Sequence, residues 1–507
     1  MTPKTKAKVD YLFRRTFEIF PGALSWVAIL SPFILSLRIP AAIAYALLFL
    51  NVYWLYRSLR ISVGVMIGYQ RLKKAESTDW FGLLKKQFPS DIKHLQHLLV
   101  IPTYKEELYI IGPTIKAIAD SKYPKDRIYV VLGFEGKDDP QRVAEVRKSV
   151  IEKYGNSFAG FFTTIHPLAE GEIWGPASNR TYAIKEFLKQ HQLSPENTLL
   201  TTLDSDFRVH PQFLAGATYR YITIPPEERD KRSYTGLFLY NNNYWDTIAP
   251  MRVNAISTAF WQLSEMVTSS KYMNFASMTI NLKSVIDIGY WPLNVVNDDS
   301  AFYWRAYYHF NGDYKVIPHY LPISADAVQD KTALSTYKNQ YKQYQRWAYG
   351  IEHLPFVVKN SLTKKTIPIL KRLDHLYFLV ISNLSWAMLG FIVTFGGILL
   401  PLINPHFKQT VIGYNFPRLS SLILTIALIG LFTSVWVETK ITPPRPTNWP
   451  WWKKALTPLQ WLLTPFLIII FGTIPALDAQ TRLMIGKYLS YKVTIKGRRG
   501  GHATTKV

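Results

Sequence analysis

Cysteine is absent from the 507 residues of this chain. Its absence excludes a disulfide framework, a thiolate metal site and a cysteine nucleophile. Histidine-rich tracts and Cys/His pairs in metal-ligand spacing are missing too. Carboxylates are therefore the side chains best suited to hold a metal ion in this protein.

Acidic residues are scarce as well. The chain has 35 Asp and Glu against 59 Lys and Arg, which gives a formal net charge of +24. Such a balance favours polyanionic partners, namely nucleic acid, anionic lipid headgroups or phosphorylated substrates. Composition alone does not distinguish these three classes of partner. The positions of the apolar residues provide the further evidence.

Long apolar runs point to a membrane. A bilayer-spanning helix takes about 20 mostly apolar residues, and Trp and Tyr cluster at the edges of the runs, as they do at headgroup level. We expect a multi-pass integral protein of the plasma or cytoplasmic membrane, with membrane lipids as partners and no nucleic-acid partner. The runs cover residues 19–37, 41–56, 376–403, 419–437 and 455–477.

Basic residues suggest the orientation of these spans. Lys and Arg precede the first run and follow the second, which predicts a cytosolic middle region because positive residues stay on the cytoplasmic side. Three C-terminal crossings would place the basic tail outside. Either one segment is re-entrant or an extra turn lies within 376–403 or around Pro475, so the number of C-terminal crossings stays open.

The middle region reads as an α/β domain. Apolar, β-branched runs at 97–104, 127–136 and 197–207 predict strands, and amphipathic segments between them predict helices. This alternation predicts a mostly parallel sheet with ligands at the carboxyl ends of its strands. The expected parts are an N-terminal transmembrane hairpin (1–60), interfacial helices and a linker (61–96), the α/β domain (97–330), amphipathic interfacial helices (331–373), and a C-terminal transmembrane region with a basic tail (374–507).

The segment LLTTLDSDF places Asp204 and Asp206 where a buried strand ends. Residues two apart in a strand share a face, so both carboxylates are predicted to point into one site. Carboxylate oxygens suit Mg²⁺ or Mn²⁺. The alternative is a turn at the end of the strand with no metal.

The segment VVNDDSAF is predicted to begin with a short strand and to continue as a helix. Its carboxylates, Asp298 and Asp299, are candidates for a general base that takes a proton from a hydroxyl. The alternative is a helix start, in which Asn297 or Asp298 caps the helix and acids stabilise its first turn. Both interpretations hold together if a capped helix presents the base.

The segment KQYQRWAYG places Gln343, Arg346 and Trp347 on one face of a predicted helix. An arginine and an indole suit a diphosphate and a sugar ring. The alternative is an amphipathic surface helix whose arginine extends towards the headgroups.

These three motifs occur in this order in an α/β region bracketed by membrane spans. The chain thereby resembles the membrane-embedded family 2 glycosyltransferases of the cellulose-, hyaluronan- and chitin-synthase-like type, from Leu99 to the closing YKVTIKGR segment. The resemblance implies an α/β GT-A fold (nucleotide-diphospho-sugar transferase) for the cytosolic domain, beside an α-helical transmembrane domain.

The resemblance also implies roles for single residues. IPTYKEE resembles the nucleotide-binding first strand and loop, and WGPASNRTYAI resembles the family element GKASNxNxAL, with Pro176 where Lys is common. The family's Asp near the end of the second strand is replaced by Glu135, with Asp138 as the alternative. The substrate-binding residues so implied are Pro102, Thr103, Tyr104, Glu106, Glu135, Ser178, Asn179, Asp204, Gln343, Arg346 and Trp347.

For the chemistry, the resemblance implies that Asp206 coordinates Mg²⁺ or Mn²⁺ and that Asp204 assists with the metal or the donor sugar. Asp299 is implied as the catalytic base, and Asp298 stands where the family usually has Glu and orients the site. Inverting transfer from a nucleotide-sugar follows, with Arg346 beside the departing diphosphate.

The acceptor is not identified by these motifs. A hexosyltransferase extending a polysaccharide from a UDP-sugar is the leading interpretation, and transfer of a single sugar to a lipid is the alternative. A catalytically inactive membrane scaffold is a minor third. The sugar, the oligomeric state and any protein partner are not predicted.

Overall fold

The computed structural model describes residues 2–491, so the predicted basic tail lies outside the described residues. The chain divides into two compact units. The first comprises Met1–Ile67, Thr247–Thr268 and Val328–Leu489, and the second comprises Gly68–Asp246, Ser269–Ala327 and Ser490–Val507. Thr247–Thr268, which we expected inside the α/β domain, therefore groups with the predicted membrane segments.

Helices make up the first unit and flank the sheet of the second. Short 3₁₀ helices cover Lys125–Arg127, Pro195–Asn197, Tyr349–His353 and Thr457–Leu463, and a π-helix covers Ile468–Thr473. In chain order the α-helices are α1 Pro3–Leu35, α2 Pro40–Ser77, α3 Trp80–Gln87, α4 Pro89–His94, α5 Leu108–Ala119, α6 Pro140–Tyr154, α7 Pro176–Gln190, α8 Phe213–Thr223, α9 Pro226–Arg229, α10 Ala249–Thr268, α11 Leu282–Ile288, α12 Asp298–His309, α13 Ala333–Ala348, α14 Leu354–Thr363, α15 Ile369–Ile403, α16 Pro405–Lys408, α17 Val411–Ala427, α18 Ile429–Ile441, α19 Trp451–Leu456, α20 Thr464–Leu467 and α21 Ile474–Met484.

Within the described residues, five helical segments are long and apolar enough to cross a membrane. This agrees in number and position with the five apolar runs of the sequence. The segments are Pro3–Leu35, Pro40–Ser77, Ile369–Ile403, Val411–Ile441 and Trp451–Met484.

The second unit is built on one eight-stranded sheet of order β3-β2-β1-β4-β7-β6-β8-β5. Strands β3, β2, β1 and β4 are parallel, as the sequence predicts, whereas β7 is antiparallel to both β4 and β6. The sheet is therefore mixed. The strands are β1 Gln96–Thr103, β2 Ile128–Glu135, β3 Gly160–His166, β4 Thr198–Thr202, β5 Arg208–Val209, β6 Arg232–Leu239, β7 Met278–Asn281 and β8 Lys315–Ser324.

The parallel half of the sheet collects the loops that carry the motifs. Residues 98–101 of β1 are fully buried, as expected for a strand covered by helices on both faces. Thr103 of β1 is paired with Phe134 of β2, so the loops that follow these two strands start side by side. The α/β fold prediction is thereby confirmed.

Within the segment 61–96, where interfacial helices are expected, α3 is present, but two of its apolar side chains face protein. Trp80 and Leu84 are buried, and the Trp80 ring lies 5.3 Å from the Tyr219 ring of α8. The face that we expected to rest on a membrane surface is thus covered within the second unit. The basic residues Lys85 and Lys86 remain exposed.

Candidate active site

The two carboxylates of the Asn-Asp-Asp motif start α12 and share one cation. Arg180 Nη2 lies 3.2 Å from Asp298 Oδ2, and Arg180 Nη1 lies 3.2 Å from Asp299 Oδ1. A guanidinium can satisfy two carboxylates because its donors spread in a plane. Arg180, whose side chain is 3% exposed, therefore fixes the position of both.

The predicted local structure around these carboxylates needs two corrections. Val295 and Val296 form no strand, and the Asn297 side chain makes no cap hydrogen bond to the α12 backbone. Asp298 is the first residue of the helix rather than its cap. The Asn297 Oδ1 instead accepts a hydrogen bond from the Ser300 hydroxyl over 2.9 Å, and the two carboxylates pair with Arg180 of α7.

The second oxygen of Asp299 accepts a backbone hydrogen bond. The Ala276 N–H donates to Asp299 Oδ2 over 2.7 Å. Ala276 has a φ of 62°, a left-handed conformation that residues with a Cβ rarely adopt. Backbone strain of this kind persists only where the surroundings enforce it, and it clusters at functional sites.

Asp299 is the more accessible member of the pair. Its side chain is 23% exposed, against 10% for Asp298. Each carboxylate oxygen can accept more than one hydrogen bond, so the contacts to Arg180 and Ala276 leave Asp299 able to take a proton. Of the two carboxylates, Asp299 is therefore the one more open to another molecule.

Arg180 also connects this pair to the Asp-Ser-Asp motif. Burial alone would lower the pKa of Arg180, but the attraction of Asp298, Asp299 and Asp204 outweighs burial and raises that pKa above its ordinary value. The guanidinium carbon lies 5.1 Å from the centre of the Trp291 ring. Arg180 is therefore a permanent positive charge among three carboxylates.

Asp204 and Asp206 lie in a turn after β4 and not on the strand. The strand ends at Thr202, and the Phe207 N–H donates to the Asp204 carbonyl over 3.0 Å. The argument from strand alternation is therefore wrong for this pair. Asp206 is buried, and its Oδ2 accepts a 2.9 Å hydrogen bond from the Asp326 N–H, whereas Asp204 is half-buried.

The two carboxylates fit a divalent ion that shares its coordination with substrate. Among the residues that the structure describes, no cluster of three or more His, Cys, Asp or Glu could enclose a metal. Mg²⁺ is often held by one or two carboxylates and completed by water and substrate phosphates. Asp204 and Asp206 would hold such an ion, which would neutralise phosphate charge there.

The loop after β1 brings three predicted substrate-binding residues together. The Thr103 hydroxyl donates to Glu106 Oε2 over 2.8 Å, and the Tyr104 N–H donates to the same oxygen over 2.5 Å. Glu106 therefore closes the loop on itself. Pro102 lies within the strand, opposite Gly133 of β2.

Asp138 anchors this loop from the neighbouring strand end. Its Oδ2 accepts a 2.9 Å hydrogen bond from the Lys105 N–H, and its carboxylate forms an ion pair with Arg142. Arg142 also donates to the Glu106 carbonyl over 2.7 Å. Lys105 has a φ of 63°, and these bonds support that conformation.

Glu135 ends β2 and is bonded from two sides. Asn179 Nδ2 donates to Glu135 Oε1 over 2.9 Å, and His166 Nδ1 lies 3.1 Å from Glu135 Oε2. Asn179 Nδ2 also donates to the Gly133 carbonyl over 3.1 Å. Two predicted substrate-binding residues, Glu135 and Asn179, thus form one buried group, and its contact with a nucleoside stays a prediction.

The start of α7 explains the unusual proline. Pro176 is the first helical residue, where a missing N–H costs nothing and the fixed φ suits the helix. The Ser178 hydroxyl lies within hydrogen-bond distance of the Gly175 carbonyl, at 3.0 Å, and of the Ile173 carbonyl, at 3.2 Å. Ser178 therefore fastens the turn that precedes α7.

An aromatic surface borders the ends of β1 and β2. The Tyr104 and Trp174 rings pack edge to face at 4.5 Å, and the Tyr491 ring lies 5.8 Å from Trp174. Lys137 Nζ lies 4.8 Å from the centre of the Trp174 ring. Aromatic faces beside a lysine suit a base and a phosphate.

Gln343, Arg346 and Trp347 lie on α13 of the first unit. Gln343 Oε1 accepts a 3.2 Å hydrogen bond from Gln340 Nε2, and the Trp347 ring lies 5.0 Å from the Tyr344 ring. The helix is confirmed.

The same helix is fastened by polar contacts within the first unit. Tyr341 and Gln345 both donate to the Asp478 carboxylate of α21. The Tyr344 hydroxyl lies 3.0 Å from the Thr258 hydroxyl of α10. The face of α13 that carries Tyr341, Tyr344 and Gln345 therefore packs against α21 and α10.

Some of these residues were not anticipated. Arg180 had a readable signal, because positions 177, 180 and 184 share one face of α7 and a charge on a buried face requires acidic partners. Ala276 and His166 carried no such signal, since Ala276 acts through its backbone N–H and His166 ends a strand with exposed and buried positions on both sides. Trp174, Lys137 and Tyr491 were visible only as isolated aromatic or basic residues.

The chain is similar to a known sequence family over its motif-bearing part. Residues 199–438, which include the Asp-Ser-Asp, Asn-Asp-Asp and Gln-x-x-Arg-Trp motifs, match the profile of Glycosyl transferase family group 2. This part of the chain is a family 2 glycosyltransferase domain. No curated protein sequence matches the chain.

Two solved glycosyltransferase structures are distantly similar. A mannosyltransferase of Pyrobaculum calidifontis in complex with GDP-Man and Mn²⁺ aligns with a TM-score of 0.43 and 13% identity, over 76% of this chain and 99% of that one. TarS residues 1–349 of S. aureus with UDP-GlcNAc aligns with a TM-score of 0.36 and 14% identity, over 81% and 98%. Both are too distant to transfer residue roles to this glycosyltransferase.

A glycine of β2 provides a first test of the site. A Cβ built on Gly133 would lie 2.1 Å from Asn179 Oδ1, so we expect Gly133→Ala to displace the Asn179 amide and weaken UDP binding about tenfold, or ~1.4 kcal/mol. Isothermal titration with UDP measures the change. Gly112→Ala is the control, because its Cβ would meet only Leu108 Cδ1 at 3.9 Å. Unchanged UDP affinity in Gly133→Ala would contradict the prediction that Asn179 contributes to nucleotide binding.

Proposed function

We propose that this glycosyltransferase is a membrane-bound, inverting enzyme that transfers a sugar from a UDP-sugar to a growing polysaccharide. The observation that carries the proposal is the Asp298–Asp299 pair, held by buried Arg180, with Asp299 the more exposed member. A fixed, accessible carboxylate is what general-base activation of an acceptor hydroxyl requires.

The proposed reaction needs no covalent enzyme intermediate. Asp299 takes the proton of the acceptor hydroxyl while that oxygen forms a bond to the anomeric carbon. The bond from this carbon to the diphosphate breaks on the opposite side, so the configuration inverts. The nucleoside diphosphate leaves with the electron pair, and the proton stays on Asp299 until solvent removes it.

An aromatic cluster of the first unit supports a glycan acceptor. The Tyr344 ring lies 5.0 Å from Trp347 and 6.4 Å from Trp386 of α15, and all three side chains are half-buried. Aromatic faces pack against the apolar faces of sugar rings while the hydroxyls stay hydrated. A lipid acceptor remains the alternative outcome, and Gln343, Arg346 and Trp347 remain proposed substrate-binding residues.

The product decides between these acceptors. Purified protein in nanodiscs would receive radiolabelled UDP-sugars with Mg²⁺ or Mn²⁺. Label in a water-soluble polymer supports the polysaccharide proposal, and label in small organic-soluble glycolipids replaces it by the alternative. Absence of transfer from every nucleotide-sugar would overturn the proposed activity and favour an inactive scaffold.

The metal proposal has its own prediction. Asp206→Asn should reduce transfer at least about a hundredfold, because the ion that neutralises phosphate charge loses a ligand. It should also weaken Mn²⁺ binding in the presence of UDP, which electron paramagnetic resonance measures without any turnover. Asp287→Asn is the control, since Asp287 is exposed on α11 and forms an ion pair with Lys283. Equal Mn²⁺ binding in both variants would contradict the metal assignment.

The proposed topology places the catalytic unit in the cytosol. Five candidate spans in the described residues and the basic residues around the first two support this arrangement. Modification of a single cysteine introduced at exposed Lys148 of α6 would test it, because the native chain has no cysteine. Labelling by a membrane-impermeant thiol reagent in intact cells would contradict a cytosolic location.

A further inference from the structure

His166 at the end of β3 lies between two carboxylates. Its Nδ1 is 3.1 Å from Glu135 Oε2 of β2, and its Nε2 is 3.1 Å from Glu172 Oε2. The His166 side chain is 2% exposed. Each of the two ring nitrogens therefore contacts a carboxylate oxygen.

Such an arrangement specifies the protonation state. A neutral imidazole donates at one nitrogen and accepts at the other, and an ionised carboxylate only accepts. Neutral His166 would therefore face one carboxylate with a lone pair. Both contacts are favourable only when both nitrogens carry a proton, that is, when the ring is an imidazolium.

The surroundings of His166 support this state. Burial opposes the charge, but the hydrogen bonds and attraction of Glu135 and Glu172 outweigh it and raise the pKa of His166 above its ordinary value. The groups that face the ring are Glu135 from β2, Glu172 from the following loop and the Tyr182 ring of α7 at 5.3 Å.

The bond to Glu172 fastens a functional loop. Glu172 lies in the segment 167–175 between β3 and α7, where its Oε2 also accepts a 3.3 Å hydrogen bond from the Ala169 N–H. The same segment carries Trp174, part of the aromatic surface beside β1. On the other side, Glu135 is bonded to Asn179.

We propose that His166, as an imidazolium, is a positioning residue that ties the 167–175 loop to the end of β2 and thereby shapes the nucleotide side of the donor site. The link to the donor rests on the proposed function. The tie itself does not, because it follows from the contacts of the ring. Loss of the proton would release Glu172 and loosen the loop.

The direction with pH follows from the raised pKa. A group whose pKa is higher in the folded state contributes its full stabilisation below its unfolded pKa, about 6.5 for histidine. The contribution disappears as the pH rises through the folded value. The loop should therefore be tied at pH 6 and loosened progressively at alkaline pH.

Hydrogen–deuterium exchange of the full-length protein in nanodiscs tests the tie. With the intrinsic pH dependence of exchange removed, amides of 167–175 should exchange about tenfold faster at pH 9 than at pH 6, the size expected for losing a buried, charge-assisted hydrogen bond. In His166→Gln they should exchange fast at every pH. His309→Gln, at an exposed histidine near the end of α12, should behave like the wild type.

Glu172→Gln separates an imidazolium tie from a merely structural histidine. Its amide can donate to Nε2 of a neutral ring whose Nδ1–H still donates to Glu135, so slow exchange should persist at alkaline pH. A pH-independent loop in the wild type, or a Glu172→Gln loop as fast as that of His166→Gln, would overturn the proposal.

The dissociation constant for UDP extends the test to the donor site. It should rise about tenfold between pH 6 and pH 9 in the wild type and stay flat in Glu172→Gln, in parallel with exchange. A UDP dissociation constant that stays the same between pH 6 and pH 9, while the exchange rate of 167–175 rises, would overturn the donor-site part of the proposal. The predicted exchange pattern in a protein that transfers no sugar would instead support the tie and count against the proposed function.

Discussion

Asp299→Asn should lower the turnover number for sugar transfer by about a thousandfold, within the range that general-base catalysis contributes. An amide keeps the shape of the side chain and has one oxygen that can accept from Arg180 or from the Ala276 N–H, but it cannot take the acceptor proton. Binding of UDP should be retained, because Asp299 contacts Arg180 and Ala276 rather than the proposed nucleotide-binding residues Glu135 and Asn179. Steady-state kinetics and isothermal titration with UDP give both quantities.

The matched control is Asp298→Asn. Asp298 pairs with the same guanidinium at the same 3.2 Å distance but is less exposed. Its loss should disturb the orientation of the site and cost about tenfold in turnover, the size of one weakened charge-assisted contact. If Asp298→Asn loses more activity than Asp299→Asn, the two roles are exchanged. If neither variant loses activity, the base lies elsewhere.

Arg180→Gln should be the most damaging change to the stability of the second unit. Removing the guanidinium leaves Asp298 and Asp299 partly buried next to each other without their shared cation, and breaking a buried ion pair in this way costs about 3–5 kcal/mol. The thermal unfolding midpoint in detergent should fall, and the remaining folded protein should transfer sugar slowly because Asp299 is no longer held.

Two variants make this result specific. Arg180→Lys should recover part of the stability, since an ammonium keeps the charge but lacks the planar fork that reaches two carboxylates. Arg147→Gln, at an exposed position of α6, should change the free energy of unfolding by less than about 0.5 kcal/mol. An Arg180→Gln protein as stable and active as the wild type would show that the carboxylates do not depend on this pair.

The elements that local pattern specifies were predictable. Strands β1 and β2 are apolar, β-branched runs, and their burial follows from that composition. Helix α7 follows from its periodicity, and the membrane segments follow from their length and composition. The Asp-Ser-Asp motif could be located for the same reason, since it follows the apolar run of β4.

Long-range pairing was not predictable from local pattern. Arg180 and Asp299 are 119 positions apart, and the strained Ala276 reaches Asp299 across 23. Strands β6, β7 and β8 complete the sheet through antiparallel and crossed pairings that no single segment specifies. The turn at Asp204 shows this limit of local pattern most clearly. The sequence predicts a strand at 197–207, and the strand is present as β4, but it ends at Thr202.

The most direct test of the proposed chemistry is the configuration of the new glycosidic bond. A UDP-α-sugar with carbon-13 at the anomeric position would be given to the purified protein in nanodiscs, and the product would be examined by nuclear magnetic resonance before it can rearrange. We predict a β-linked product and no label on the protein, because Asp299 activates the acceptor for a single displacement. An α-linked product, or a sugar covalently attached to the enzyme, would contradict the account.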